Sequence, residues 1–156
     1  MGEVYFYHLT ESPLEAILPR LITRARGQGW RIELRGRDPA RVARLDEALW
    51  LGADEGFLPH GLAGGPHDGL QPVILTVAGQ VVRDVACLMA VDGAEIDPSE
   101  VLVLQRASIL FDGSDPAALA RARDQWRSLT GAGIGAKYWA QADGRWVMKQ
   151  ERAATS

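Results

Sequence analysis

The run Val85-Ala86-Cys87-Leu88-Met89-Ala90-Val91 contains no charged or strongly polar side chain. Successive side chains of a strand point to opposite faces, so a strand of this composition must be covered on both sides. Parallel sheets packed between helices meet that condition; sheets with one wet face do not. The rest of the chain supplies the covering elements. Val4 to Leu9 is aromatic and β-branched and reads as a first strand. Ser12-Pro13 predicts a helix start, with Ser12 as N-cap and Pro13 in the first turn. Leu14, Ile17, Leu18, Leu21 and Ile22 recur at helical spacing, and Gly27 and Gly29 end the run.

Trp30 to Leu34 reads as a second strand, with Ile32 and Leu34 alternating against Arg31, Glu33 and Arg35. Asp38-Pro39 opens a second helix that carries Val42, Leu45, Ala48 and Leu49 along one side. Residues 61–71 read as loop, Pro72 to Val77 as a strand, and Val101 to Leu104 as a strand or short helix before Ile109-Leu110-Phe111. A long helix is expected from Ser114 or Asp115, through Pro116, to about Gly131. Ala136 to Ala140 and Arg145 to Lys149 form a strand pair about the turn Asp143-Gly144. This alternation predicts an α/β fold with a central, largely parallel sheet flanked by helices. Residues 1–150 are expected to make one domain, with 151–156 as a frayed tail.

The 156 residues suffice for one real core. Net charge is −3, but it is unevenly placed. From Arg121 onward seven basic residues face three acidic ones, a balance of +4 that leaves −7 on the rest. Such asymmetry suits a basic face and an anionic partner, or simply a basic tail. Cys87 is the only cysteine, which excludes an internal disulfide and a cysteine-based zinc site. In its apolar run it reads as a buried, inert thiol. No signal peptide is apparent at the N-terminus and no stretch approaches a membrane span, so the cytoplasm is the expected compartment. His8, His60 and His67 lack metal-ligand spacing, and Asp46 and Glu47 are adjacent, so they diverge on a helix. Gly131-x-Gly133-x-Gly135-x-Lys137 resembles a phosphate loop, but it follows a helix, and Tyr138 stands where Ser or Thr is required. No catalytic set and no cofactor is indicated.

The stretch from Ala120 to Arg127 carries the most specific chemistry. On a helix Arg123, Trp126 and Arg127 share one face. Guanidinium groups offer a planar fork to a carboxylate, and an indole adds apolar area and a cation-facing ring. The set therefore suits a peptide that ends in an aromatic residue and a free carboxylate. The competing reading is a solvated helix face with a core tryptophan.

A second stretch, Arg44-Leu45-Asp46-Glu47-Ala48-Leu49-Trp50, is followed by Phe57 ahead of Pro59-His60 and by Leu62-Ala63-Gly64. Together with the Arg123–Arg127 helix and the paired aromatics of the first strand, it resembles the chi subunit family of bacterial DNA polymerase III. The resemblance covers nearly the whole chain; residues 78–112 match weakly. It implies a Rossmann-like fold without a nucleotide site, and a non-catalytic accessory subunit of the clamp-loader assembly. It also implies two partners. One is the acidic C-terminal tail of single-stranded-DNA-binding protein. The other is the psi subunit of the clamp loader or, in some bacteria, a helicase. Carried over position by position, the tail site falls on Arg123, Trp126 and Arg127, where the family often has tyrosine and lysine at the last two. The psi or helicase contact falls on Trp50 and Phe57. Two departures stand out. Asp112-Gly113 replaces an apolar residue and proline at one wall of the tail pocket, and the chain continues past the usual closing strand with Gly144-Arg145-Trp146. Two other classes remain: a nucleotide-dependent enzyme, suggested by the Rossmann-like pattern alone, and direct nucleic-acid binding through the basic C-terminal third.

Overall fold

Two of the helices open on an aspartate that caps them through its side chain, at Asp97 and Asp115. The computed structural model describes residues 2–51, 60–64, 71–77, 80, 82 and 84–155, with backbone only at 50–51. In chain order the elements are β1 (Glu3–Leu9), α1 (Leu14–Gly27), β2 (Ile32–Gly36), α2 (Pro39–Leu51), β3 (His60–Leu62) and β4 (Val73–Val77). They continue with β5 (Cys87–Ala90), α3 (Pro98–Val103), β6 (Arg106–Asp112), α4 (Pro116–Gly131), β7 (Ala136–Ala142) and β8 (Arg145–Arg152).

The strands form one sheet in the order β3-β4-β2-β5-β6-β1-β7-β8. Every described pairing is parallel except β7–β8, which is the expected antiparallel hairpin. All four residues of β5 are buried, as a run apolar on both faces demands. Period-two alternation assigns the two faces. Tyr7, Leu9, Leu34 and Met89 pack with Ile17, Leu18 and Leu21 of α1 and Val42 and Leu45 of α2. Val4, Phe6, Leu88 and Ile109 pack with Val101 of α3 and with Ala122 and Leu129 of α4. The fold is therefore the three-layer α/β arrangement that the sequence predicts.

Several local expectations shift. Ser12 does not cap α1: Pro13 occupies the N-cap position without a side-chain cap bond. Ser12 instead accepts from the side-chain amide of Gln141 on β7 (3.1 Å), while the Gln141 carbonyl oxygen takes the backbone N–H groups of Thr10, Glu11 and Ser12. The segment ahead of α1 is thus held by a distant amide, and the α1 start goes without a side-chain cap. The second strand starts at Ile32 rather than Trp30, and its Glu33 is buried, not solvated. The Glu33 carboxylate accepts from Arg35 Nε (2.9 Å) and Thr76 Oγ1 (2.8 Å), and the Arg35 fork continues to Glu100 at 2.8 and 3.0 Å. Within the expected loop 61–71, Gly61 and Leu62 belong to β3, which pairs with β4. Residues 101–104 resolve as helix: Val101–Val103 belong to α3, opened by an Asp97–Glu100 capping box. At the C-terminus β8 runs to Arg152, and Thr155 N–H donates to Gly133 O (3.0 Å), so the chain stays paired past residue 150.

Candidate functional site

Helix α4 is built as its sequence suggests. Asp115 is the N-cap and accepts from Ala117 N–H (3.0 Å), with Pro116 next in the first turn. At the other end Gly133 takes φ +87, the left-handed conformation that lets the chain turn back into β7. Ala122 and Leu129 are buried, and Trp126 lies between them at i+4 and i+7, on the inward stripe. Its indole is half-buried, edge-on to Phe6 (5.3 Å between centroids) and to Tyr138 (6.1 Å). Arg123 and Arg127 follow on the flank and are exposed. The described contact of Arg127 is Asp124, at 3.5 Å with both side chains 76% exposed, a pair of small energetic weight.

The structure thus places the three expected residues on one contiguous helix surface but not as a sandwich. Among the described residues no guanidinium stacks on Trp126; the cation–π contacts are Arg106 over Tyr5 and Trp30, and Lys137 over Tyr5. Trp126 is an anchored apolar floor with two exposed cations beside it, Arg127 loosely paired with Asp124. Leu119, one helix turn before Arg123, joins the same cluster.

The neighbouring wall consists of residues the sequence did not single out. Tyr138 hydroxyl and His8 Nδ1 are hydrogen-bonded (2.9 Å), and His8 lies against Phe111 (5.1 Å). Burial pushes the His8 imidazole below its usual value, with Asp112 opposing, and burial raises the Tyr138 phenol. The Asp112-Gly113 departure has a local logic. Asp112 accepts from Ser114 N–H (2.9 Å) and Ser114 Oγ (2.6 Å), and a Cβ at Gly113 would overlap the His8 ring. The signal for Phe6 and Tyr138 was present: both occupy strand positions of the parity that faces α4, with Phe6 opposite Tyr138 in register.

The other sequence candidates fall as follows. Trp50 lies in the last turn of α2, with only its backbone described, and Phe57 lies outside the described residues. His60 is buried, its Nε2 3.1 Å from Asp46 O of α2, which ties β3 to that helix. Cys87 is buried and its thiol is pushed up to about 12 by desolvation. Gly131 ends α4, Gly133 and Gly135 lie between it and β7, and Gly135 O accepts from Val4 N–H at the start of β1. That is the amino end of the parallel strands, opposite to where such sheets bind ligands. At the carboxyl ends of β1 and β6 a cleft of about 520 Å³ is lined by Glu11, Glu15, Asp92, Asp112 and Asp115. Its two cations are Arg121 and Arg41, the latter paired with Glu15 (2.6 Å) and Asp92 (3.0 Å), so carboxylates outnumber them. No helix among the described residues is long and apolar enough to cross a membrane, and none of their acidic, histidine or cysteine groupings could hold a metal ion.

Among solved structures, the C-terminal domain of a possible DNA helicase from Lactobacillus plantarum WCFS1 is similar, at 15% identity and a TM-score of 0.49, over 77% of this chain and 79% of that one. No curated protein matches significantly in sequence. The family model described as DNA polymerase III chi subunit, HolC, matches residues 1–137. The match covers most of the chain, both helix-covered faces of the sheet and the whole of α4, and so this protein belongs to the chi subunit family of DNA polymerase III, an accessory subunit of that replicative enzyme.

Proposed function

We propose that this protein is a non-catalytic adaptor in DNA replication and repair. The α4 face, with Arg123, Trp126 and Arg127, binds the acidic C-terminal tail of single-stranded-DNA-binding protein. A second surface, around Trp50 and Phe57, holds the psi subunit of the clamp loader or a helicase. The observation that carries the first half is the pairing of exposed, weakly committed cations with a half-buried indole fixed by Phe6 and Tyr138. Arg123 or Arg127 pairs with the terminal carboxylate, and the terminal ring lies on the apolar ground of Trp126 and Leu119. The tail is disordered before binding, so its ordering entropy limits affinity to the order of micromolar. Several tails on one oligomeric partner raise it by avidity.

The test is calorimetry with an acidic peptide ending in Phe. Arg123→Ala or Arg127→Ala weakens binding while the fold persists; unchanged affinity in both variants refutes the assignment. Phe57→Ala impairs the second partner and spares the peptide, and loss of peptide binding in that variant, still folded, would merge the two surfaces. The nucleotide-enzyme reading is disfavoured by the carboxylates around the cleft at the carboxyl ends of the strands, where phosphate would be repelled. Direct DNA binding by the free protein would appear as affinity with a steep salt slope; the adaptor reading expects little or none.

A further inference from the structure

The β7–β8 hairpin runs past residue 137, where the family match ends. It carries Trp139, Arg145 and Trp146, and the adaptor reading gives them no role. The two tryptophans stand on the sheet face opposite α4, the face covered by α1. There Trp139 and Trp146 join Tyr5, Tyr7, Trp30 and Arg106 around a cavity of about 260 Å³. The Arg106 guanidinium lies 4.1 Å from the Tyr5 ring centroid and 5.0 Å from that of Trp30. Tyr7 meets Trp146 edge-on at 5.1 Å.

Two donors in this wall are unmet. Arg106 Nε and the Trp139 indole N–H are buried with no hydrogen-bond acceptor. Buried donors are rarely left so, and each such group asks for an explanation. Charge points the same way. Arg24 and Arg106 line the cavity and no carboxylate does. An adjoining hollow, which shares Arg24 and Trp146, adds Arg20 and Arg145. Burial holds the Tyr7 phenol and the Cys87 thiol up to about 12, so neither supplies a counter-charge. The cavity is aromatic and cationic and holds no carboxylate; its other polar groups are Gln28, Ser108 and the Tyr5 and Tyr7 hydroxyls. Its volume of about 260 Å³ accommodates a single ring with a carboxylate.

We propose that this cavity binds a small carboxylate carried on an aromatic ring, whose entry shifts the Arg106 and Trp139 side chains so that Arg106 Nε and the Trp139 indole N–H donate to the carboxylate, with the ring lying among Tyr7, Trp30 and Trp146. The carboxylate meets the two orphaned donors and the uncompensated charge together. A free aromatic acid and the terminal aromatic residue of a peptide share this chemistry.

The test titrates the full-length protein with phenylacetate, phenylacetamide, AMP and an acidic Phe-terminated peptide, read by calorimetry and tryptophan fluorescence. Phenylacetate binds saturably, and its neutral amide binds roughly tenfold to a hundredfold more weakly. Trp139→Phe keeps a ring, removes the donor and weakens phenylacetate about fivefold or more; Arg106→Gln weakens it more. Circular dichroism checks that each variant is folded. If Arg106→Gln does not fold, Trp139→Phe and the amide comparison decide the matter. Absence of saturable phenylacetate binding, equal binding of the amide, or tighter binding of AMP overturns the proposal. A peptide that displaces phenylacetate, and loses affinity in Trp139→Phe but not in Arg127→Ala, marks the ligand as a peptide terminus; the cavity proposal then stands and the α4 tail site falls. A peptide that leaves phenylacetate bound marks the ligand as a free acid.

Discussion

Asp124 gives the α4 proposal its sharpest consequence, because it stands where an incoming carboxylate would compete. Arg127 Nη1 lies 3.5 Å from Asp124, and both side chains are 76% exposed. At that exposure an i,i+3 pair contributes at most a few tenths of a kcal/mol to the helix. Arg127→Ala and Asp124→Asn should therefore each move the melting temperature by only about 1–2 °C in a domain of this size. Their effects on peptide binding have opposite signs. Loss of one charge-assisted contact to the terminal carboxylate weakens binding roughly tenfold in Arg127→Ala. Removing the competing carboxylate frees the Arg127 fork and lowers the local negative potential, so Asp124→Asn tightens binding by about two- to fivefold at low salt. The gain shrinks as ionic strength rises and the Debye length falls towards about 8 Å. Calorimetry with the Phe-terminated acidic peptide at two salt concentrations measures both. Weaker binding in Asp124→Asn, or equal affinity in Arg127→Ala, would show that the carboxylate does not sit on this fork.

Three further outcomes test the frame that holds the site. Arg35→Met strands the buried Glu33 carboxylate and should destabilise the protein by about 3–5 kcal/mol in chemical denaturation; adding Glu33→Gln should recover part of that loss. Gly113→Ala forces the His8 ring from its place beside Tyr138, and should cost about 1–3 kcal/mol and weaken peptide binding through the displaced wall. The folded pKa of His8 lies below the usual histidine value of about 6.5, held down first by desolvation. Its neutral form is favoured by folding, so this contribution is complete above about 6.5 and is lost as pH falls from there through the lowered folded value. Denaturation midpoints between about pH 7.5 and 5.5 should therefore fall more steeply in the wild type than in His8→Gln, and parallel slopes would refute the assignment.

The helix signals were legible because they are local. Asp115-Pro116 opens α4, Gly133 turns the chain after it, and Ala122, Trp126 and Leu129 mark its inward stripe within one stretch of sequence. The same locality put Arg123 and Arg127 on one surface. Other signals misled because their partners are distant. Ser12 looked like a cap, yet Gln141 satisfies the backbone there from 129 residues away. Glu33 looked like the wet side of an alternating strand, yet Thr76 and Arg35 make its burial tolerable. Strand β3 is three residues long and includes a glycine, too little to carry a period, and exists because β4 offers it an edge.

Composition and periodicity thus determined a parallel sheet between helix layers, and with it the side of the sheet on which each aromatic residue stands. The tertiary structure decided what those residues meet: Trp126 resting on Phe6 and Tyr138, and Arg106 lodged between Tyr5 of β1 and Trp30, just ahead of β2, with its Nε unmatched. Caps and stripes are written by neighbours three or four positions apart, whereas a floor or a cavity is made wherever crossovers bring remote strands side by side.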